Sequence, residues 1–152
     1  MRAVIQRVSR ASVTVGDACI ASIGSGLLIL LGVETADTSA DAAWLCAKIA
    51  KLRIFSDAEG LMNCDISQIG GACIVVSQFT LHASTKKGNR PSFIRAARPE
   101  QARALYEEFT AQLRRELGNN ERVQTGEFAA DMKVELVNDG PVTICIDTQD
   151  KE

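Results

Sequence analysis

Two short stretches hold the residues best suited to chemistry. Ser77-Gln78-Phe79-Thr80-Leu81 closes an apolar run on small polar groups, and Asn138-Asp139-Gly140-Pro141-Val142-Thr143 sets a Gly-Pro corner between two strands. Neither contains a charged general base, and the chain has a single histidine, His82. Catalysis built from them would run on backbone amides and shape, not on a charged triad. Thr80 and His82 would share a face if the strand continued, which makes a nucleophile–base pair conceivable. Side chains two apart on a strand point parallel, however, and no neighbouring carboxylate orients the imidazole, so His82 reads as incidental. Both stretches also have plain explanations. Threonine is a good strand former, and Gly-Pro suits a turn.

Charge distribution adds a second signal. The net charge is only −2, yet no acidic residue lies between Asp65 and Glu100, a stretch that carries Lys86, Lys87, Arg90, Arg95 and Arg98. A locally positive lobe beside a candidate site would attract a phosphate backbone even on a slightly acidic protein. Ordinary solvated lysines are the alternative explanation. The five cysteines show no C-x-x-C spacing, and several lie in apolar runs; they read as small hydrophobes in a reducing compartment. The longest apolar run, Leu27–Leu31, is far short of a membrane span. The N-terminus enters an alternating strand at once, leaving no room for a signal peptide. A cytoplasmic location is expected, with no membrane partner and no metal.

The elements that must position these residues are readable from periodicity. Alternation over residues 1–15 predicts a strand, Gly16-Asp17 a hairpin, Cys19–Ile23 a short strand and Leu27–Val33 a buried one. Thr38 or Ser39 caps a helix whose apolar positions Ala43, Trp44, Ala47 and Leu52 suit one face. Ala72–Gln78 is another apolar strand. Pro99 and Glu100 open a second helix with the stripe Ala102, Leu105, Tyr106, Phe109, Leu113 and Leu117, closed by Gly118. Strands near Lys133–Val137 and Val142–Asp147 complete an α+β fold. The expectation is a mostly antiparallel, strongly curved, barrel-like sheet with two packed helices, in one domain over residues 1–148. Residues 149–152 are expected to form a disordered polar tail.

Six ordered blocks then point to a known family. They are Gln6-Arg7-Val8, Phe55-Ser56-Asp57-Ala58-Glu59-Gly60, Ser77–Leu81, Lys87-Gly88-Asn89-Arg90-Pro91-Ser92-Phe93, Phe128-Ala129-Ala130-Asp131-Met132 and Asn138–Thr143. On them the chain resembles the D-aminoacyl-tRNA deacylases over essentially its full length. The resemblance implies hydrolysis of the ester joining a D-amino acid to the 3′-terminal adenosine of tRNA, with glycyl-tRNA also accepted. It implies a homodimer in which the Gly140-Pro141 of one subunit, in cis, enters the other's active site as a chirality gate. Ser77, Gln78, Phe79 and Thr80 would form the pocket floor, and no cofactor or metal is implied.

Chirality explains why a rigid backbone would be used. A ten-thousand-fold preference requires about 5.4 kcal/mol of differential transition-state binding. Discrimination of one methylene supplies only about 1–3 kcal/mol. A fixed wall against which every L side chain clashes can exceed that whatever the side chain. The Phe79 and Thr80 N–H groups are the candidates for an oxyanion hole, with the substrate's ribose 2′-hydroxyl assisting; Thr80 as a covalent nucleophile ranks below this. Arg7 could hydrogen-bond the Gly140-Pro141 region, and Lys86, Lys87 and Arg90 could contact tRNA phosphates. Two alternatives stand beside this reading: a related trans-Gly-Pro editing enzyme acting on L-alanyl-tRNA, and a non-catalytic tRNA-binding module.

Overall fold

A computed structural model describes residues 1–151. Its elements are β1 (Arg2–Val15), β2 (Ala18–Ile23), β3 (Gly26–Gly32), α1 (Ser39–Ala50), β4 (Phe55–Ser56), β5 (Met62–Cys64), β6 (Ala72–Ser77), α2 (Pro99–Leu117), β7 (Val123–Thr125) and β8 (Met132–Asp147). β1 organises the sheet. Its first half pairs antiparallel with β3, its second half with β2 across the Gly16-Asp17 turn, and its other edge with β8 along almost the whole length.

The sheet is mostly antiparallel, as expected, with a parallel portion. β3 pairs parallel with β6, and β6 with β7. Both parallel connections pass through a helix, as parallel neighbours require a crossover. The continuous apolar runs of β3 and β6 follow from burial on both faces. Leu27, Ile29, Leu31, Cys73 and Val75 pack toward the helices, whereas Leu28, Ile74 and Val76 join Val8, Val13 and Ile23 in a second core inside the curve of the sheet. The sheet is nearly closed: the Gln124 side chain on β7 accepts from the Ser22 N–H of β2 at 2.7 Å and donates to the Ser22 carbonyl at 2.8 Å. One side-chain amide thus substitutes for a missing ladder rung.

The buried stripe of α2 is the one that helical spacing predicts, and Gly118 ends the helix at φ +64°, where a side chain would be disfavoured. The face of α1 differs from expectation. Ala42, Leu45, Cys46, Ile49 and Ala50 are buried, one residue round from the Ala43–Trp44–Ala47 stripe. Trp44 instead lies half-exposed under the ammonium groups of Lys48 and Lys151, 5.7 and 4.6 Å from its ring. Residues 149–151 do not behave as a disordered tail. Gln149 N–H donates to the Asp147 carboxylate at 3.0 Å, Asp150 bridges back to Asp147, and Lys151 covers Trp44. Glu152 lies outside the described residues. The ends of the chain are joined as well: the Met1 amino group, fully buried, pairs with the equally buried Asp37 carboxylate and donates to Thr148 Oγ1 at 2.6 Å.

Candidate active site

β6 stops at Ser77, and the chain turns at once into a single 3-10 turn, Phe79–His82. The strand does not continue through Thr80, so Thr80 and His82 share no strand face. Thr80 is exposed and His82 buried. His82 Nδ1 lies 3.8 Å from a carboxylate oxygen of the buried Glu34, beyond hydrogen-bonding range, and neither imidazole nitrogen has a partner among the described residues. The hydroxyl of Thr80 is bonded instead by the Gln78 side-chain amide at 2.6 Å. An amide is not a base, so nothing in this contact activates Thr80 as a nucleophile.

The turn does prepare its backbone. Its first internal bond runs from the Leu81 N–H to the Gln78 carbonyl at 3.2 Å. The N–H groups of Phe79 and Thr80 precede that bond and have no acceptor within the turn. Arg2 holds the far end by donating to the Leu81 carbonyl at 3.0 Å while its Nε pairs with Asp147 at 2.6 Å. Burial raises the Asp147 pKa, but Arg2 and the Gln149 amide outweigh it and hold the carboxyl below its usual range.

This turn floors a cavity of about 640 Å³. Ser77, Gln78 and Phe79 line one side, Phe93 and Ala97 a second, and Phe128–Met132 the third. Pockets for small ligands span roughly 300–1,000 Å³, with mostly apolar walls and few polar groups, and this one conforms. The Phe128–Met132 wall is one of the blocks that carry the family resemblance, but it has no periodicity that would mark it as part of the site. Ala129 there stands at φ +66°. Tyr106, also on the wall, donates its hydroxyl to the Val75 carbonyl at 2.7 Å, and burial pushes its pKa up to about 12.

The Gly-Pro segment is not a turn between two strands. Gln6 is opposite Thr143 and Val8 opposite Asn138, so Arg7 alone faces the four residues 139–142, which bulge out of the continuous strand β8. Asn138 ties the base of the bulge, accepting from the Val142 N–H and donating to Thr143 Oγ1, both at 2.8 Å. Arg7 Nε donates to the Asp139 carbonyl at 3.0 Å, and its Nη1 to the Ile54 carbonyl at 2.6 Å. Gly140, at φ +128°, would place a Cβ 3.0 Å from Arg7 Nη2, so only glycine fits without displacement. The Gly140-Pro141 bond is cis. Asp139, Gly140 and Pro141 are exposed, and none of the three lines this cavity.

Lys86, Lys87 and Arg90 project from a loop closed by two backbone bonds between Ser84 and Ser92, at 2.8 and 2.9 Å. None of the three pairs with a carboxylate among the described residues. Of the cysteines, Cys46 and Cys73 are buried, and burial pushes both thiols up to about 12, as suits inert core groups. Cys19 and Cys145 are exposed. No group of metal-binding side chains occurs among the described residues, and no helix there is long and apolar enough to cross a membrane.

Comparison with known proteins supplies what geometry leaves open. The family model described as D-Tyr-tRNA(Tyr) deacylase matches residues 4–147. The chain belongs to that family. D-aminoacyl-tRNA deacylases of Bacteroides thetaiotaomicron and Phocaeicola vulgatus are 60% and 59% identical to it, in each case over all of both chains. Among solved structures, the c-Myc DNA Unwinding Element Binding Protein superposes with a TM-score of 0.91 at 42% identity, covering 97% of this chain and 98% of that one. A probable eukaryotic D-amino acid tRNA deacylase shares the fold, with a TM-score of 0.82 at 17% identity and coverage of 95% and 97%.

Proposed function

We propose that the chain hydrolyses the ester of D-aminoacyl-tRNA, with the aminoacyl-adenosine end in the cavity floored by Ser77, Gln78 and Phe79. The observation that carries this is the pair of N–H groups, Phe79 and Thr80, left free where β6 ends against a cavity of suitable size. In the reaction they receive the oxyanion that forms when water attacks the ester carbonyl. One such donor contributes about 2.7–4 kcal/mol. The carbon–oxygen bond to the ribose then breaks, and the 2′-hydroxyl next to the leaving 3′-oxygen shares the proton handling for which this site offers no base.

Selectivity comes from the 139–142 bulge. Exposed on its own subunit and absent from its own cavity, it enters the cavity of a second copy in a homodimer and meets L side chains with fixed backbone. The outer edge of β8, unpaired among the described residues, is a surface that invites a partner strand. Lys86, Lys87 and Arg90 take tRNA phosphates.

Side-by-side hydrolysis of D-tyrosyl-tRNA and L-tyrosyl-tRNA by catalytic protein tests this. Rapid loss of the D ester with the L ester spared is expected. Equal loss of both would refute the gate, and loss of neither would leave a tRNA-binding module. Thr80→Ala separates the mechanisms: it keeps most activity if the backbone acts, and a folded but dead variant would restore Thr80 as nucleophile.

A further inference from the structure

Beyond the backbone groups that hydrolysis uses, side chains at the cavity present an apolar surface outward. Phe79 is 56% exposed, and its ring meets Phe93 edge to face, with centroids 5.1 Å apart and planes at 73°. The next residue, Ile94, is 89% exposed, the highest value among the large apolar side chains. The backbone beneath this ledge is tied down. Thr35 N–H donates to the Arg95 carbonyl and Ala97 N–H to the Val33 carbonyl, both at 3.0 Å, while the Arg95 guanidinium grips Glu34 at 2.6 Å. A fixed support with an apolar outer face is suited to contact, not to packing within the subunit.

Charge selects the partner. Phe93 follows directly on Ser92, which closes the loop bearing Lys86, Lys87 and Arg90. Apolar aromatic area beside unpaired cations, in a stretch with no acidic residue, is how proteins hold unpaired nucleotides: bases stack on the rings while phosphates are neutralised alongside. We propose that Phe79, Phe93 and Ile94 form a stacking ledge for the single-stranded nucleotides that precede the terminal adenosine of tRNA. This rests on the reading that the cavity takes the aminoacyl-adenosine end. The ledge would bind the strand whichever amino acid it carries, and so would contribute to affinity but not to chirality.

Two measurements test it in wild type, Phe93→Leu and Ile94→Ser, the latter at a site too exposed to affect folding. The first is the Kd of uncharged tRNA against the same tRNA trimmed of its last three nucleotides. The second is the ratio of kcat/KM on D-tyrosyl-tRNA to that on D-tyrosyl-adenosine. Phe93→Leu should weaken intact tRNA by about tenfold, the effect of losing one base–aromatic stack, and Ile94→Ser, which removes apolar contact but no ring, by a smaller factor; the kcat/KM ratio should fall similarly in each, with trimmed tRNA unaffected. Equal weakening of both tRNAs, or of neither, would overturn the ledge. So would dissociation of a dimer by Ile94→Ser, which would assign the patch to a second copy. A wild-type protein inert on both esters would defeat the deacylase reading, while the binding comparison would still decide the ledge.

Discussion

Replacing Arg7 with methionine keeps its apolar stem and removes its hydrogen bonds to the Asp139 and Ile54 carbonyls. A hydrogen bond to a charged group contributes about 1.5–3 kcal/mol. The Asp139 carbonyl belongs to an exposed residue and can turn to water, and the ion pair with the Asp139 carboxylate is largely solvent-screened. The loss therefore falls mainly on the partly buried Ile54 contact, and about 2 kcal/mol is expected overall. For a chain of this length, about 2–4 °C of Tm accompanies each kcal/mol, giving a fall of about 4–8 °C. The share that reaches the 139–142 bulge is that of the exposed Asp139 contacts, about 1 kcal/mol, so its displaced population rises about fivefold, since each 1.4 kcal/mol is a factor of ten. L-tyrosyl-tRNA hydrolysis should then rise by up to that factor relative to D-tyrosyl-tRNA, with the D rate little changed. Paired deacylation assays alongside thermal unfolding measure both. A variant that loses the stability but keeps the full D-over-L ratio would refute the link between Arg7 and chiral selection.

Asp37→Ala leaves the buried Met1 amino group without its counter-charge and should cost about 3–5 kcal/mol, read as a lowered midpoint in urea unfolding. Tyr106, the only tyrosine, should ionise with a midpoint near pH 12 in a spectrophotometric titration of the folded protein. Because the folded-state value is raised, its contribution to stability is intact below about pH 10 and is lost as pH climbs toward 12; a midpoint near 10 would contradict its burial. Neutralising Lys86, Lys87 and Arg90 together should lower the salt dependence of tRNA binding by about 2 in the log–log slope if all three touch phosphates of a single strand, and an unchanged slope would remove them from the interface.

How much was legible depended on how local the cause was. The stripe of α2 and its glycine stop are properties of one segment, and sequence spacing displayed them fully. The face of α1 was misread because five alanines give it little contrast, and Trp44 could be accommodated on the rim under two lysines rather than in the core. The parallel pairing of β3 with β6 was present in their unbroken apolar character, a signal of burial on both faces that hairpin-like connections obscured. The site divided the same way. Ser77–Thr80 and Gly140-Pro141 stood out as motifs. That Arg7 is the single residue opposite the bulge depends on the register between residues some 130 positions apart, and that Phe128–Met132 closes the cavity depends on where α2 delivers the chain. No local pattern encodes either.

The pairing of β1 with β8 also bears on how the chain folds as it is made. The strand that emerges first is the partner of the strand that emerges last, with Arg2 opposite Asp147. During synthesis the N-terminal half can form its own hairpin and its pairing with β3, but one whole edge of β1 must stay open until the final strand leaves the ribosome. Closing so many distant contacts is slow, and an open edge is prone to pair with the wrong neighbour in the meantime. Truncation even a few residues inside β8 should therefore produce a chain that aggregates, not a slightly less stable enzyme, because it is the last strand that turns an exposed edge into an interior one.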